Sequence, residues 1–178
     1  YKRYATATPA IDPETGNIDV SELESLVSSR TKAIMPVHVH GCPADLNEIR
    51  AFAEKHRLLI IEDAAQAHGA TYEGRPVGTF GAASGFSLQS SKNLSAGEGG
   101  VFVTNDSAVF EKANQLRNFA QNLRTADKAQ YNLDRPLDGH RALQSSGIGS
   151  MYRGNEMMAA FARAQLARLP SLTAQGQV

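Results

Sequence analysis

One cysteine in 178 residues excludes an internal disulfide, and with it the small secreted scaffold held by such bridges. No apolar run reaches the roughly 18 to 20 residues that cross a bilayer as a helix. Neither sign of charge dominates. The 18 Lys and Arg balance 18 Asp and Glu, so there is no global basic field to collect nucleic acid or anionic membrane. The basic residues Arg50, Lys55 and Arg57 share a helical stretch with no aromatic interleaving, which argues against a single-strand binding surface. No stretch reads as a secretory signal peptide, an internal repeat or a low-complexity tract. What is present is ordinary globular composition, 42% hydrophobic and 20% charged, which excludes wholesale disorder. The expectation is one domain of a soluble, cytoplasmic protein, with two domains an outside possibility at this length. The chain opens at Tyr1 rather than Met, on a strand-like alternation without a cap, so an excerpt of a longer protein is also expected.

Hydrophobic periodicity and turn chemistry divide the chain. Residues 4–9 read as a short β segment, and Asp12-Pro-Glu-Thr-Gly16 as a turn. Asp19 reads as an N-cap with Glu22 at the return position of a capping box; Leu23, Leu26 and Val27 give that helix one apolar stripe. Residues 33–39 are a strand candidate, with Pro36 marking a strand end or an edge. Asp45 and Glu48 open a second helix through Leu46, Ile49, Phe52 and Ala53. Residues 58–61 are four consecutive apolar residues, the pattern of a strand buried on both faces. Residues 85–88 and 100–104 are further strand candidates. No helix separates them, which favours an antiparallel pair. Asp106 caps a long helix through Phe110, Ala113, Leu116 and Phe119; residues 122–146 are polar and aperiodic, hence a long loop. A last helix is expected over residues 155–169, with Met158, Phe161, Ala162 and Leu166 on one face. Strand and helix alternate through the first hundred residues, so the class is α/β with a mainly parallel sheet.

Three segments carry candidate chemistry. Ile60-Ile61-Glu62-Asp63-Ala64-Ala65-Gln66 puts an acid at the end of a buried strand, the carboxyl edge where open α/β sheets bind ligands, followed by small residues. A plain strand end with a small-residue turn reads the same way. Phe86-Ser87-Leu88-Gln89-Ser90-Ser91-Lys92 places a lysine after a strand among small polar residues. Such a lysine, partly desolvated, can form a Schiff base, and Ser87 can reach a phosphate. A lone lysine of this kind is more often a solvated loop residue. Ala96-Gly97-Glu98-Gly99-Gly100 allows a tight turn and close backbone approach, without the spacing of a dinucleotide fingerprint or a phosphate loop. His38, His40 and Cys42 would share one face of an extended strand, a row zinc can use, but Gly41 and Pro43 argue that the strand ends there; no metal site is expected.

Taken together, EDAAQAHGA (62–70) and FSLQSSKNLSAGEGGVFVTND (86–106) resemble the DegT/DnrJ/EryC1/StrS family of pyridoxal-phosphate-dependent aminotransferases, which act on keto-sugars and cyclitols. TKAIMPVHVHGCPADLNEI (31–49) and YRGNEMMAAFARAQLARL (152–169) extend the resemblance over nearly the whole chain. It implies an aspartate-aminotransferase-like fold of PLP fold type I. Residues 1–178 would be the central part of its large domain: a mainly parallel sheet with one antiparallel strand, flanked by helices. It also implies roles. Lys92 would carry pyridoxal 5'-phosphate as a Schiff base and then move the proton between Cα and C4′. Asp63 would keep the pyridine nitrogen protonated, so that the ring accepts electrons. Gln66 would lie near the ring and its 3-hydroxyl, and Ser87 would bond the phosphate. Apart from the resemblance, His38 is a candidate to line the cofactor pocket. Glu98 would hold the turn after Lys92, and His68 would be packing or a supporting residue. The Met157–Met158 pair reads as core or subunit interface.

The resemblance implies an amino donor, glutamate or glutamine, a keto-sugar or keto-cyclitol acceptor, and a homodimer; residues 122–146, too polar to pack in their own core, are the candidate to reach the partner. The family's N-terminal segment, with an aromatic that stacks on the cofactor, has no counterpart in this chain, nor has its C-terminal small domain; the chain alone is expected to be inactive. Two residues before Arg153 the family usually has an asparagine thought to reach the partner subunit's cofactor. This chain has Met151. Two rivals remain: a sugar dehydratase of the same family, whose members carry histidine where this chain has Lys92, and a non-catalytic DegT-like regulatory protein, which would need none of Lys92, Asp63 and Gln66.

Overall fold

A computed structural model of the chain describes residues 6–118 and 150–174. They divide into two compact units, residues 6–105 with 156–174, and residues 106–118 with 150–155. In chain order the strands are β1 (Ala33–Ile34), β2 (Leu59–Asp63), β3 (Thr71–Tyr72), β4 (Arg75–Pro76), β5 (Ala83–Ser87) and β6 (Gly100–Val103), all in the first unit. The main sheet has the order β1-β2-β5-β6. β1 and β5 flank β2 in parallel, and β6 is antiparallel to β5. This is the α/β arrangement the alternation of elements predicts. β3 and β4 form a separate small hairpin that the sequence reading did not anticipate.

The helices follow their caps. α1 (Leu23–Leu26) is short; Asp19 caps only the tight turn ahead of it, its carboxylate taking the Ser21 N–H at 2.9 Å. α2 (Leu46–His56) starts on Asp45, whose Oδ1 accepts the Glu48 N–H at 3.2 Å. It ends at Arg57, which turns left-handed at φ 55° so that Leu58 N–H reaches the Ala53 carbonyl at 2.8 Å. Its stripe of Leu46, Ile49 and Ala53 is buried. Ile49 and Ala53 pack with Leu23, Ile34 and Ile60, while Leu46 joins Ala64, Ala67 and Val77. Removing a side chain such as Ile49 would cost about 2–5 kcal/mol, since transfer and cavity terms add.

Pro36 accounts for the shortness of β1. It has no N–H to give, so the strand stops at Ile34 and contact with β2 continues only through the Val37–Asp63 bridge. Residues 58–61 are not buried on both faces. Ile60 and Glu62 are covered on the side of α2, but Leu59 is 57% exposed and Ile61 only half-buried. Phe102, on the same face as Leu59 by register, is also exposed. Residues 6–9 form no strand; Ile11 makes a single bridge to Ile18 across the Asp12–Gly16 turn.

α4 (Glu156–Ala174) runs past the expected end and includes Pro170. The hydroxyls of Ser171 and Thr173 donate to the Arg168 and Leu169 carbonyls at 2.7 Å, satisfying acceptors in its last turns. Phe161 and Leu166 remain about half exposed on it. A Cβ on Gly69 would lie 3.2 Å from Thr173 Oγ1, and one on Gly99 would lie 3.0 Å from Met158 Cε, so α4 runs close against both glycine turns. In the second unit, Asp106 caps α3 (Ser107–Leu116) through the Ala108 and Val109 N–H groups. Asn118 and Met151 form an antiparallel bridge there. The expected loop 122–146 lies outside the described residues. No helix among the described residues is long and apolar enough to cross a membrane.

Candidate active site

β2 and β5 are parallel, so both end at one edge of the sheet. Asp63 is the last residue of β2 and Ser87 the last of β5. Asp63 is in register with Gly85, and Ser87 lies two residues further along, on the same face. A Cβ built on Gly85 would meet nothing within 4 Å, so the space between the two side chains is open. Asp63 is half-buried. Its Oδ1 accepts the Ala65 N–H at 3.0 Å, and its other oxygen has no partner among the described residues. Its backbone is fixed from the other side, by its own N–H to the Pro36 carbonyl at 2.9 Å and by the His38 N–H to its carbonyl at 3.1 Å.

Lys92 lies in the connection from β5 to β6. Leu88 pins that connection at its root: its N–H donates to the Gly99 carbonyl at 2.9 Å, and its carbonyl accepts from Ala96 N–H at 2.8 Å. Within it, residues 89–92 form a stiff turn. Lys92 N–H donates to the Gln89 carbonyl at 3.0 Å, and Gln89 Oε1 accepts from both the N–H and the hydroxyl of Ser91, at 2.8 and 2.6 Å. The Lys92 ammonium has no partner among the described residues. Ser87 Oγ accepts the Gln89 N–H at 3.3 Å, which leaves its own proton to donate elsewhere. Glu98 is exposed in the turn beyond.

Gln66 sits in the turn after β2. Its Oε1 accepts the His40 backbone N–H at 3.0 Å. The amide oxygen is therefore turned toward residue 40 and the amide nitrogen away from it, with both its protons unused among the described residues.

Glu62 and His38 were not assigned these roles by the sequence. Both side chains are fully buried. Glu62 accepts from the Gly78, Phe80 and Gly81 N–H groups at 2.6 to 2.7 Å, and from His38 Nε2 at 3.2 Å. His38 Nδ1 accepts the Ala44 N–H at 3.1 Å, which makes it the neutral Nε2–H tautomer. Burial pushes the Glu62 carboxyl up, but the His38 and backbone donors outweigh it and hold the group below its ordinary value. His38 thus does not line a cofactor pocket; it is sealed on the far side of the sheet. The same geometry breaks the His38, His40 and Cys42 row, because His40 adopts φ 52° and Cys42 Sγ turns to the Pro43 carbonyl. Among the described residues no cluster of three His, Cys, Asp or Glu could hold a metal ion.

His68 is buried against the Phe86 ring at 5.5 Å between centroids. Neither ring nitrogen has a hydrogen bond of normal geometry to a described atom, although the Ser87 backbone lies near. Burial lowers its pKa, and the Lys92 charge lowers it further while the Ser87 backbone opposes.

The turns and strand ends at this edge therefore carry a carboxylate oxygen, an amide donor, a hydroxyl proton and an amine that are unpaired among the described residues, with open space over Gly85. That set fits pyridoxal phosphate chemically: an acceptor for a pyridinium N–H, donors for a phenolic oxygen and a phosphate, and an amine for a carbonyl carbon. Met151 is exposed and bridges Asn118, with Arg153 Nη2 at 3.9 Å from its sulfur.

Comparison with known proteins identifies the family of the chain. The family model described as the DegT/DnrJ/EryC1/StrS aminotransferase family matches residues 4–177. GDP-perosamine synthase of Caulobacter vibrioides is 38% identical over 169 residues, covering 93% of this chain and 41% of that protein. L-glutamine:2-deoxy-scyllo-inosose aminotransferase of Micromonospora echinospora is 41% identical over 158 residues, covering 88% of this chain and 36% of that protein. An aminotransferase structure from Psychrobacter cryohalolentis superposes with a TM-score of 0.80 at 35% identity, over 92% of this chain and 40% of that one. The chain spans about two-fifths of the length of the curated relatives it matches.

Proposed function

The chain belongs to the DegT/DnrJ/EryC1/StrS aminotransferase family, and from that premise we propose that its protein is a pyridoxal-phosphate-dependent aminotransferase moving an amino group from glutamate or glutamine to a keto-sugar or keto-cyclitol. The relatives named above make an amino sugar and an aminocyclitol by their names, and the second takes L-glutamine as donor. Because those relatives are more than twice as long as this chain, turnover is proposed of the whole protein, with these residues as its cofactor-binding segment.

The observation that carries the reading is Lys92, presented on a stiff turn at the same sheet edge as Asp63. Bound pyridoxal phosphate supplies an electron sink that acidifies the Cα–H of the donor amino acid. The chain's own groups would do the rest. The unpaired oxygen of Asp63 would hold a proton at the pyridine nitrogen. Gln66 would donate to the 3-hydroxyl oxygen, and Ser87 would donate its hydroxyl proton to the phosphate. The Lys92 amine would hold the group by its carbonyl carbon and, when free, would move the proton between Cα and C4′. The homodimer implied by the resemblance is part of this proposal; light scattering that finds the active protein monomeric would contradict that part alone.

The test is a spectrum of the full-length protein with pyridoxal phosphate. A visible band should form, bleach with glutamate or glutamine, and return with a keto-sugar or keto-cyclitol. No visible band would point to the regulatory reading, and sugar dehydration without amino transfer to the dehydratase.

A further inference from the structure

Asn17 lies well before both site motifs, yet it is 97% buried and three of its four hydrogen-bonding positions are used. Its Oδ1 accepts the Val39 N–H at 3.0 Å, and its Nδ2 donates to the Cys42 carbonyl at 3.1 Å and the Pro43 carbonyl at 3.2 Å. All three partners belong to one tight segment, closed internally by the Cys42 N–H to the Val39 carbonyl at 2.9 Å. Inside that segment His40 is held at φ 52° and Gly41 at φ 83°. A non-glycine residue in the left-handed region is strained and persists only where its surroundings fix it. Here the surroundings are Asn17 on one side and Gln66 on the other. The left-handed turn is what aims the His40 N–H at Gln66 Oε1.

We infer that Asn17 is a positioning residue for Gln66: by clamping residues 39–43 it holds the His40 N–H that orients the Gln66 amide, so that the amide nitrogen faces the cofactor. The inference rests on the reading of Gln66 as a cofactor contact. Without the clamp His40 relaxes from the left-handed region, its N–H leaves Gln66 Oε1, and the amide is free to rotate or to turn its oxygen toward an electron-rich phenolic oxygen. That is a loss of preorganisation rather than of a direct contact.

The test is a double-mutant cycle in the full-length protein, read as the dissociation constant of pyridoxal phosphate from the apoprotein and as the pH titration of the bound visible band. Asn17→Ala should weaken cofactor binding about tenfold when Gln66 is present, the scale on which supporting residues act. In a Gln66→Ala background the same change should cost less than about twofold, because coupled residues are not additive. The midpoint of the visible titration should shift in Asn17→Ala in the same direction as in Gln66→Ala. If Asn17→Ala costs the same factor in both backgrounds, Asn17 merely supports the fold and the inference is overturned. If Gln66→Ala alone leaves binding and titration unchanged, the cofactor reading of Gln66 fails first. Should Asn17→Ala not fold, Asn17→Asp keeps the acceptor for Val39 N–H while losing both donors, and the same cycle decides.

Discussion

Glu62 and Asp63 are consecutive residues at the end of β2, and the strand turns their carboxylates to opposite sides of the sheet. Glu62 faces inward and is satisfied by three backbone N–H groups and His38; Asp63 faces the open edge with one oxygen unused among the described residues. Two adjacent acids thus differ in surroundings. One ties residues 78–81 and 38 to the strand, and the other is the acid proposed above to meet the cofactor.

Glu62→Gln should destabilise the protein by about 3 kcal/mol at pH 7, because an amide nitrogen would face N–H donors in a sealed site. The folded carboxyl lies below its ordinary 4.5, so its stabilisation is complete above that value and is lost as pH falls through the lower, folded value. Denaturant melts of both proteins should therefore converge as pH drops below 4.5. A difference that stays constant down to pH 3 would show that charge is not the basis of the effect.

Gly78 and Gly81 give Glu62 two of its donors and have no room for a side chain. A Cβ on Gly78, at φ +82°, would sit 2.6 Å from the Phe86 ring; one on Gly81 would sit 2.5 Å from the Ile60 carbonyl oxygen. Gly78→Ala and Gly81→Ala should each cost about 2–4 kcal/mol through overpacking and lost bonds to Glu62. Gly74→Ala provides the contrast, since its φ of +77° is equally strained but nothing lies within 4 Å of the added carbon. Equal losses in all three variants would refute the packing argument.

His68→Leu should raise the melting temperature of the apoprotein. The ring nitrogens lack hydrogen-bond geometry to any described atom, and leaving such groups buried costs about 1–3 kcal/mol. Because the folded imidazole titrates below its ordinary 6.5, the unfolded chain takes up the proton first and wild-type stability falls as pH drops through that value. The advantage of the leucine variant should widen between pH 7 and pH 5. A variant less stable than wild type at both values would show that the nitrogens find partners in solution.

Much of this was legible before any coordinates. Asp45 and Asp106 cap helices where the sequence places them, and the parallel strand ending at Asp63 and the antiparallel pair around Lys92 follow from the spacing of apolar runs and glycines. The supporting layer was not. Asn17 and Glu62 bond to backbone groups 16 to 26 residues away, and no local pattern marks a side chain whose partners are main-chain atoms. The burial of His38 was not legible either, because its partners, the Glu62 carboxylate and the Ala44 N–H, are long-range or main-chain groups. The exposure of Leu59 is not legible in the sequence, because an apolar run does not tell which of its faces this stretch of chain covers.

Asp63→Asn separates chemistry from binding. The variant keeps the shape of the side chain and loses the charge that holds a proton on the pyridine nitrogen. It should still form the visible band, with somewhat weaker cofactor retention, while transamination slows by roughly a hundredfold or more, on the scale of losing one preorganised electrostatic contact. Near-normal turnover would remove Asp63 from the role given to it.

The central claim is that Lys92 is the residue that holds pyridoxal phosphate. Borohydride reduction of the full-length holoprotein, followed by proteolysis and mass mapping, tests it directly. The account predicts one pyridoxyl group, on Lys92, and predicts that Lys92→Ala abolishes both the label and the visible band while melting within a few degrees of wild type. A label on Lys55 or Lys112, or a visible band that survives Lys92→Ala, would contradict it.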